Sequence, residues 1–170
     1  NSFTSLPYDY GFFGGGANDN RGWRSRALGP GGYKYYLDQS RTLTQIADVR
    51  LAGSVEFRFD LGGYFKAAVF SDFGNIWTWK EDINRPGSKF SGDFYKQIAV
   101  SGGVGLRVDL DFFVVRLDLG IPLSNPALPS GSQWIFQSRK NFLDEVEAAG
   151  LEKSQVVKPF TPVLHFGIGY

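Results

Sequence analysis

The sequence predicts an all-β protein, an antiparallel transmembrane β-barrel fragment with about five long strands and one short surface helix. Three observations lead to this fold class. Apolar and polar residues alternate through five segments of about ten residues each, as in a barrel wall with one lipid-facing and one lumen-facing side. The connections between the segments are alternately short and long. No apolar run reaches the length of a transmembrane helix.

The first region, residues 1–47, precedes the first complete strand and contains a glycine-rich segment around Arg21-Gly22-Trp23. Glycine permits positive φ angles and close backbone packing, so an Arg-Gly-aromatic tip can fold tightly and aim one guanidinium in a fixed direction. The alternative is a flexible exposed loop with solvated arginines, which composition alone favours. The alternation of connection lengths assigns this region to the outer side of the membrane, with the other long loops.

Period-two alternation predicts five strands. The third is the clearest, since Val104 and Leu106 fall on the face opposite Arg107. The same parity turns Glu56 and Asp72 to the polar, inward face. The predicted strands span about residues 46–61, 64–78, 97–110, 112–122 and 162–170, with tight turns at 61–64 and 109–112 and long outer loops at 79–96 and 124–161.

A water-soluble β-sandwich is an alternative fold, because its strands also alternate. Sandwich strands average about five or six residues, whereas predicted strands of about ten or more fit the span of a bilayer. The absence of cysteine excludes a disulfide framework and thiol chemistry. A net charge of +1 gives no reason to expect nucleic acid as a partner.

Five strands are too few to close a cylinder, since single-chain bacterial barrels have at least about eight. An open sheet would expose two edges to lipid, where each unpaired backbone group costs several kcal/mol. The sequence also has no methionine and no signal peptide. We therefore expect the C-terminal part of a longer precursor, in which missing N-terminal strands complete the barrel and outer-membrane lipids cover its wall.

The long loop at 124–161 contains one helical signal. Ser138 can cap the start of a helix, Phe142 and Val146 recur at helical spacing, and Gly150 provides a stop. The charged residues between them predict a solvated surface, with a partner site as the alternative.

Candidate catalytic groups are few. His165, the sole histidine, falls on the inward face of the last strand, where we expect a polar group of the lumen; metal binding is the alternative. Ser71 and Ser101 have no neighbouring base of the kind that a nucleophile needs. The glycine run lacks the lysine and the strand-to-helix setting of a phosphate loop. We therefore expect no enzymatic activity, metal ion or cofactor.

Three short motifs carry a resemblance to a known family. Arg21-Gly22-Trp23 resembles the Arg-Gly-aromatic tip of the sixth extracellular loop in the BamA and TamA type of outer-membrane assembly and translocation barrels, the bacterial surface antigen family. Residues 70–74 (FSDFG) are similar to that family's Phe-x-Asp-x-Gly strand motif, and residues 103–107 (GVGLR) to its Gly-x-Gly-x-Arg run. Together they match loop six and the last five strands of a sixteen-stranded barrel. The loop and the long insert are most similar to the TamA-like lipoprotein branch.

The resemblance implies a barrel that assembles, inserts or translocates other proteins at the Gram-negative outer membrane. Loop six would fold into the lumen, with its arginine against acidic wall residues. The substrates would be unfolded outer-membrane or exported proteins, and periplasmic POTRA modules of the same precursor would precede the barrel. Asn20 and Trp23 depart from the commoner residues of the family's tip. The positions that match such a loop lock are Arg21, Gly22, Trp23, Glu56, Asp72, Gly74 and Arg107.

The same resemblance implies a weak lateral seam at the last strand, where a substrate strand can pair with an exposed edge. Gly167 and Gly169 would weaken that strand, and Tyr170 would supply its terminal aromatic residue. Alternatively, the two glycines make room for the loop inside the lumen.

Two other functions are alternatives at this point. A passive porin or transporter barrel would share the alternation but has no reason to match an Arg-Gly-aromatic loop with inward Glu56 and Asp72. A soluble β-sandwich binding module would need no detergent or lipid.

Overall fold

Five antiparallel strands form one sheet, paired in chain order, in the computed structural model, which describes residues 11–38, 45–110, 112–154 and 156–169. The sheet and the short helix confirm the predicted all-β class. No helix in the described ranges is long and apolar enough to cross a membrane. The elements are β1 (Val49–Gly62), β2 (Phe65–Trp77), β3 (Ala99–Asp109), β4 (Val114–Ser124), α1 (Lys140–Ala148) and β5 (Val163–Gly169), with short 3-10 turns at Tyr35–Leu37 and Phe94–Gln97.

The strand register places polar side chains in rows across one side of the sheet, which we call the inner face. Ser54 of β1 lies opposite Asp72 of β2, and Asp72 lies opposite Ser101 of β3. Further along the strands, Asp118 of β4 pairs with His165 of β5. Because side chains alternate between the two sides of a strand, this register gathers the charged residues of distant segments on one surface.

The opposite side, the outer face, is apolar and open. Val55 and Phe57 of β1 are 67% and 70% exposed, and Phe166 of β5 is 64% exposed. An apolar surface that extends over every strand of a sheet is suited to a membrane rather than to water. Its exposed members are Leu51, Val55, Phe57, Phe59, Val69, Phe73, Val104, Leu106, Leu117, Leu119, Leu164, Phe166 and Ile168.

Residues 11–38, which we call the inner loop, cover the part of the inner face around Asp72, Ser101 and Asp118, whereas Arg58 and Asp60 of β1 stay exposed. Isolated bridges join Phe12 to Ala47 and Gly14 to Leu28, so the loop is anchored near the start of β1 and closed upon itself. Trp23 and Leu28 pack into a small buried cluster with Ala99 of β3. The loop therefore lies against the strands instead of extending into solvent.

Residues 125–161, which we call the insert, connect β4 to β5 and form a second hydrophobic core with the inner loop. Phe142 and Val146 of α1 are buried one helical turn apart, as their spacing predicted. They pack with Tyr36 of the inner loop. The other buried members of this cluster are Leu128, Val156 and Phe160.

The expectation of a purely solvated charged surface on α1 is wrong at one residue. The Glu145 carboxylate accepts hydrogen bonds from Lys34 and from the Tyr36 hydroxyl of the inner loop. Burial by itself would raise the pKa of Glu145, but these two hydrogen bonds outweigh it and lower the pKa below its usual value. Burial and the Glu145 bond together raise the pKa of Tyr36. The insert is thus fastened to the inner loop by a charged contact as well as by its core.

The C-terminal end of α1 follows the sequence signal, whereas its N-cap residue is Arg139, one position after the predicted Ser138. The Ser138 hydroxyl oxygen accepts a hydrogen bond from the Lys140 amide at 3.2 Å. Gly150 has a positive φ of 69° just beyond the helix, the conformation in which glycine commonly ends helices.

The strand bounds differ from the predicted ones by up to three residues, and the largest difference is at β1, which begins at residue 49 instead of 46. Residues 94–97 form a 3-10 turn before β3, because Gln97 is held by β2: its carbonyl accepts from Asn75 at 2.6 Å and its side-chain oxygen accepts from the Trp77 indole at 2.7 Å. β4 begins and ends two residues later than expected. Asp111, predicted in the turn, and Tyr170, predicted at the end of the last strand, lie outside the described residues.

Candidate loop-to-wall site

The tip of the inner loop, residues 15–24, folds into a compact turn before it meets the sheet. The Gly16 amide donates to the Trp23 carbonyl at 3.0 Å, and the Asp19 carboxylate accepts from the Gly15 amide at 2.7 Å. Arg21 lies within this turn and is 5% exposed. The turn therefore presents one arginine to the inner face in a fixed orientation.

Arg21 engages Asp72 through three hydrogen bonds. Its Nε and Nη2 donate to the two carboxylate oxygens at 2.9 and 2.8 Å, a bidentate arrangement, and its backbone amide donates at 3.0 Å. Ser54 adds a bond to the same carboxylate at 2.6 Å and accepts from Arg21 Nη2 at 3.2 Å. Charge-assisted bidentate pairs combine strength with a defined direction.

Glu56 and Phe70 complete the surroundings of the guanidinium. Arg21 Nη1 donates to Glu56 Oε2 at 2.6 Å. The Phe70 ring, which departs from the alternation by facing inward, lies 3.4 Å from the guanidinium carbon and forms a cation–π contact. The residue that interrupts the sequence pattern is therefore the platform on which the arginine rests.

A second arginine, Arg107 of β3, extends the charged group across the sheet. It donates through Nη2 to Glu56 at 3.1 Å and through Nη1 to Asp118. Asp118 is fully buried and also lies within ion-pair distance of Arg21, at 3.5 Å, and of Arg116, at 3.4 Å. The group thus alternates arginines and carboxylates from the loop and four strands, which is how buried charges are compensated.

Asp118 and Ser54 were not among the predicted site residues. The alternation places both side chains on the inward side of their strands. Nothing in the sequence, however, distinguishes them from other inward polar residues. Gly105 offers a second signal, because a Cβ there would overlap Asp118 Oδ1 and Arg107 Nη1. The Gly-x-Gly-x-Arg run therefore leaves room for an ion pair between β3 and β4.

Glycines let the tip backbone touch the wall. A Cβ at Gly120 of β4 would overlap the Arg21 carbonyl, and a Cβ at Gly22 would lie 2.5 Å from Ser101 Cβ. Absence of side chains at both positions permits this close approach.

Two predicted site residues lie apart from the charged group. Trp23 packs in the apolar cluster with Leu28 and Ala99. Gly74 has a φ of 153° and its missing Cβ leaves space for the Leu51 carbonyl of β1, so it serves the pairing of β1 with β2.

His165 connects the last strand to the loop tip, a contact that its inward parity alone did not identify. Its Nε2 lies 3.0 Å from the Arg21 carbonyl and, as N–H, donates to it. Gly167 of the same strand lies beside Arg116, whose guanidinium would be 3.3 to 3.4 Å from an added Cβ. Arg116 reaches on to the Ala17 carbonyl at 3.2 Å and to the Asn18 side chain at 2.6 Å. Gly169 has no atom within 4 Å of an added Cβ.

The site holds charges in place and contains no arranged nucleophile. Ser101 is buried and its hydroxyl has no hydrogen-bond partner, whereas Ser71 donates to the Ser101 carbonyl at 3.0 Å. His165 is used by the loop backbone. Among the described residues, no group of three or more His, Cys, Asp or Glu side chains is placed to hold a metal ion.

A comparison with protein-family models matches residues 1–147 to the Omp85 superfamily domain. The match covers most of the 170-residue chain, including the loop tip, β1 to β4 and most of α1. It confirms at the family level the resemblance predicted from the three motifs; assignment to the TamA-like branch stays a prediction.

Proposed function

Because the chain belongs to the Omp85 superfamily, we propose that it forms part of an outer-membrane barrel that assembles, inserts or translocates other proteins, with the Arg21 tip locked to the inner wall. Members of the superfamily assemble or translocate proteins at the outer membrane of Gram-negative bacteria and in organelles. They work with protein substrates and POTRA domains, and they are barrels rather than enzymes. For this chain we propose the Gram-negative outer membrane and unfolded barrel or exported proteins as substrates.

The contact between Arg21 and the wall is the observation that carries this proposal. The guanidinium meets Asp72 of β2 bidentately and Glu56 of β1 at 2.6 Å, and the tip that carries it is buried. Removing one partner of a buried ion pair typically costs about 3 to 5 kcal/mol, enough to decide whether the loop stays on the wall. A passive porin or transporter barrel has no reason to match an Arg-Gly-aromatic loop with inward Glu56 and Asp72, and we therefore favour an assembly barrel.

The sheet edges support a role in which strands are exchanged. In the described chain, β1 pairs with β2 and β5 pairs with β4, so each has one open edge. Open edges in lipid are costly, and we propose that further strands of the same protein close the barrel. The seam beside β5, which includes Gly169, is the edge we propose for transient pairing with a substrate strand. We do not extend the seam to Gly167, because the Arg116 guanidinium already occupies the space that a side chain at Gly167 would fill.

Complementation in the producing cells tests the proposal. The wild-type copy is depleted and replaced by Arg21→Ala or by the matched control Arg24→Ala, which changes an exposed arginine of the same tip. We expect Arg21→Ala to be inserted in the membrane but to lower the level of folded outer-membrane proteins, and Arg24→Ala to behave as wild type. Normal outer-membrane protein levels with Arg21→Ala would instead favour the passive porin or transporter barrel.

A further inference from the structure

The insert carries an apolar groove that the loop-to-wall site does not use. Its volume is about 450 Å³, within the range of about 300 to 1,000 Å³ typical of ligand sites. Phe142 and Val146 of α1 form its floor, together with Val156 and Phe160 from the segment that leads to β5. The floor belongs to the insert core, so the groove is supported by packed side chains on its closed side.

The rim of the groove is cationic. Arg139, Lys153 and Lys158 line it, and none of the described lining residues is acidic. Arg139 is held in place, because its guanidinium lies 4.6 Å from the Phe160 ring centroid and donates to the Pro159 carbonyl at 3.4 Å. Neither lysine forms an ion pair with another described residue. An apolar floor under three cations is complementary to a ligand that has a hydrocarbon part and an anionic head.

The groove ends where the membrane-facing wall begins. Thr161 and Pro162 line it and lead directly into β5 at Val163. The first outward side chain of β5, Leu164, is 63% exposed on the outer face. In the orientation expected from the alternation of short and long connections, with the long loops outside the cell, the groove lies at the level of the outer lipid headgroups.

We infer that this groove binds an anionic lipid of the outer leaflet, with an acyl chain on the floor and a phosphate-bearing headgroup against Arg139, Lys153 and Lys158. The inference rests on the outer-membrane location of the proposed function and on the outward orientation of the long loops expected from the sequence, but not on the assembly activity itself. A cation near a membrane surface adds about 1 kcal/mol of attraction to anionic lipid, so two rim lysines suffice for a marked preference over a zwitterionic lipid.

Native mass spectrometry of the protein released from nanodiscs tests the groove. The nanodiscs contain equal amounts of phosphatidylglycerol and phosphatidylcholine with the same acyl chains. We expect the wild type to retain phosphatidylglycerol at least about tenfold over phosphatidylcholine. The double variant Lys153→Glu/Lys158→Glu should lose this preference. The matched control Lys80→Glu/Lys89→Glu, on exposed lysines of the other long outer loop, should keep it.

A second variant separates the apolar part of the groove from its charge. Val157 lines the groove and is 56% exposed, so Val157→Trp can fill the space without disturbing the core. We expect this variant to retain less of both lipids. Equal lipid retention by the wild type and the Lys153/Lys158 variant would overturn the inference, as would displacement of bound lipid by inorganic phosphate alone or a cross-link showing that a protein segment fills the groove.

The lipid measurement is independent of the assembly test. A lipid preference that persists while Arg21→Ala leaves outer-membrane protein levels unchanged would retain the groove and reject the assembly function. Loss of assembly in Arg21→Ala, together with no lipid preference in the wild type, would retain the assembly function and reject the lipid groove.

Discussion

Arg21 is held by three groups of the wall, the Asp72 and Glu56 carboxylates and the Phe70 ring. Parity alone turned Glu56 and Asp72 inward, and the structure brings both to Arg21. Phe70 departs from the alternation of β2, because an aromatic residue stands on the polar side. Its position under the Arg21 guanidinium explains it. A pattern of apolar and polar residues cannot identify a cation–π platform, since that role depends on which charge arrives from a distant segment.

His165 holds the loop tip against the last strand through a hydrogen bond. Its N–H donates to the Arg21 carbonyl at 3.0 Å, so it joins the last strand to the loop tip. We expect His165→Ala to raise amide hydrogen exchange across residues 16–24 by about fivefold, because a typical hydrogen bond contributes about 1 kcal/mol. Exchange is measured by mass spectrometry on the protein in lipid nanodiscs.

The control for this measurement is Leu164→Ala, which alters the neighbouring residue of β5 on the outer face. It should leave exchange in residues 16–24 unchanged. Equal exchange in the His165→Ala variant and the wild type would show that the histidine does not hold the tip.

At the scale of elements, local pattern predicted that strands and a helix exist but not what they contact. Alternation identified the five strands because one side of each faces an apolar environment and the other the inner face. The packing of α1 on Tyr36 and the bonds between Glu145 and Lys34 join segments about a hundred residues apart. Helical spacing shows which face of α1 is apolar, but the partner of that face depends on the tertiary fold.

The bond group around Glu145 predicts a pH dependence of insert docking. The pKa of Glu145 in the folded protein lies below its usual value. The Glu145 carboxylate therefore stabilises the docked insert fully above the pKa of a free glutamate, about 4.3. This stabilisation is lost as the pH falls through the lower pKa that Glu145 has in the folded protein. Limited proteolysis of residues 125–161 should therefore accelerate in acid.

Two variants separate this effect from general acid sensitivity. Glu145→Gln should make the insert more susceptible to proteolysis at neutral pH. It should also remove most of the increase in the proteolysis rate between pH values of about 6 and 3. Glu147→Gln changes an exposed carboxylate one position beyond Val146 and should behave as wild type. An unchanged acid response in Glu145→Gln would show that other carboxylates control the docking.

At the scale of the whole molecule, the charges and the apolar residues occupy opposite sides of one sheet. The outer face exposes large apolar side chains from every strand, and the inner face buries a charged group shared by the loop and four strands. The alternation made this separation predictable. The partners within the charged group were not, since parity cannot rank Asp118 above the other inward acids, whereas the register places it opposite Gly105 and beside His165.

The most direct test of the loop lock is a double-mutant cycle on Arg21 and Asp72. The free energy of unfolding in lipid vesicles is measured from urea titrations for the wild type, Arg21→Gln, Asp72→Asn and the double variant. We predict that the double variant is little less stable than either single variant, with a coupling of about 2 kcal/mol or more, because both changes remove the same contact. Single effects that add to within about 0.5 kcal/mol would contradict the lock, since Arg21 would then contribute nothing through Asp72.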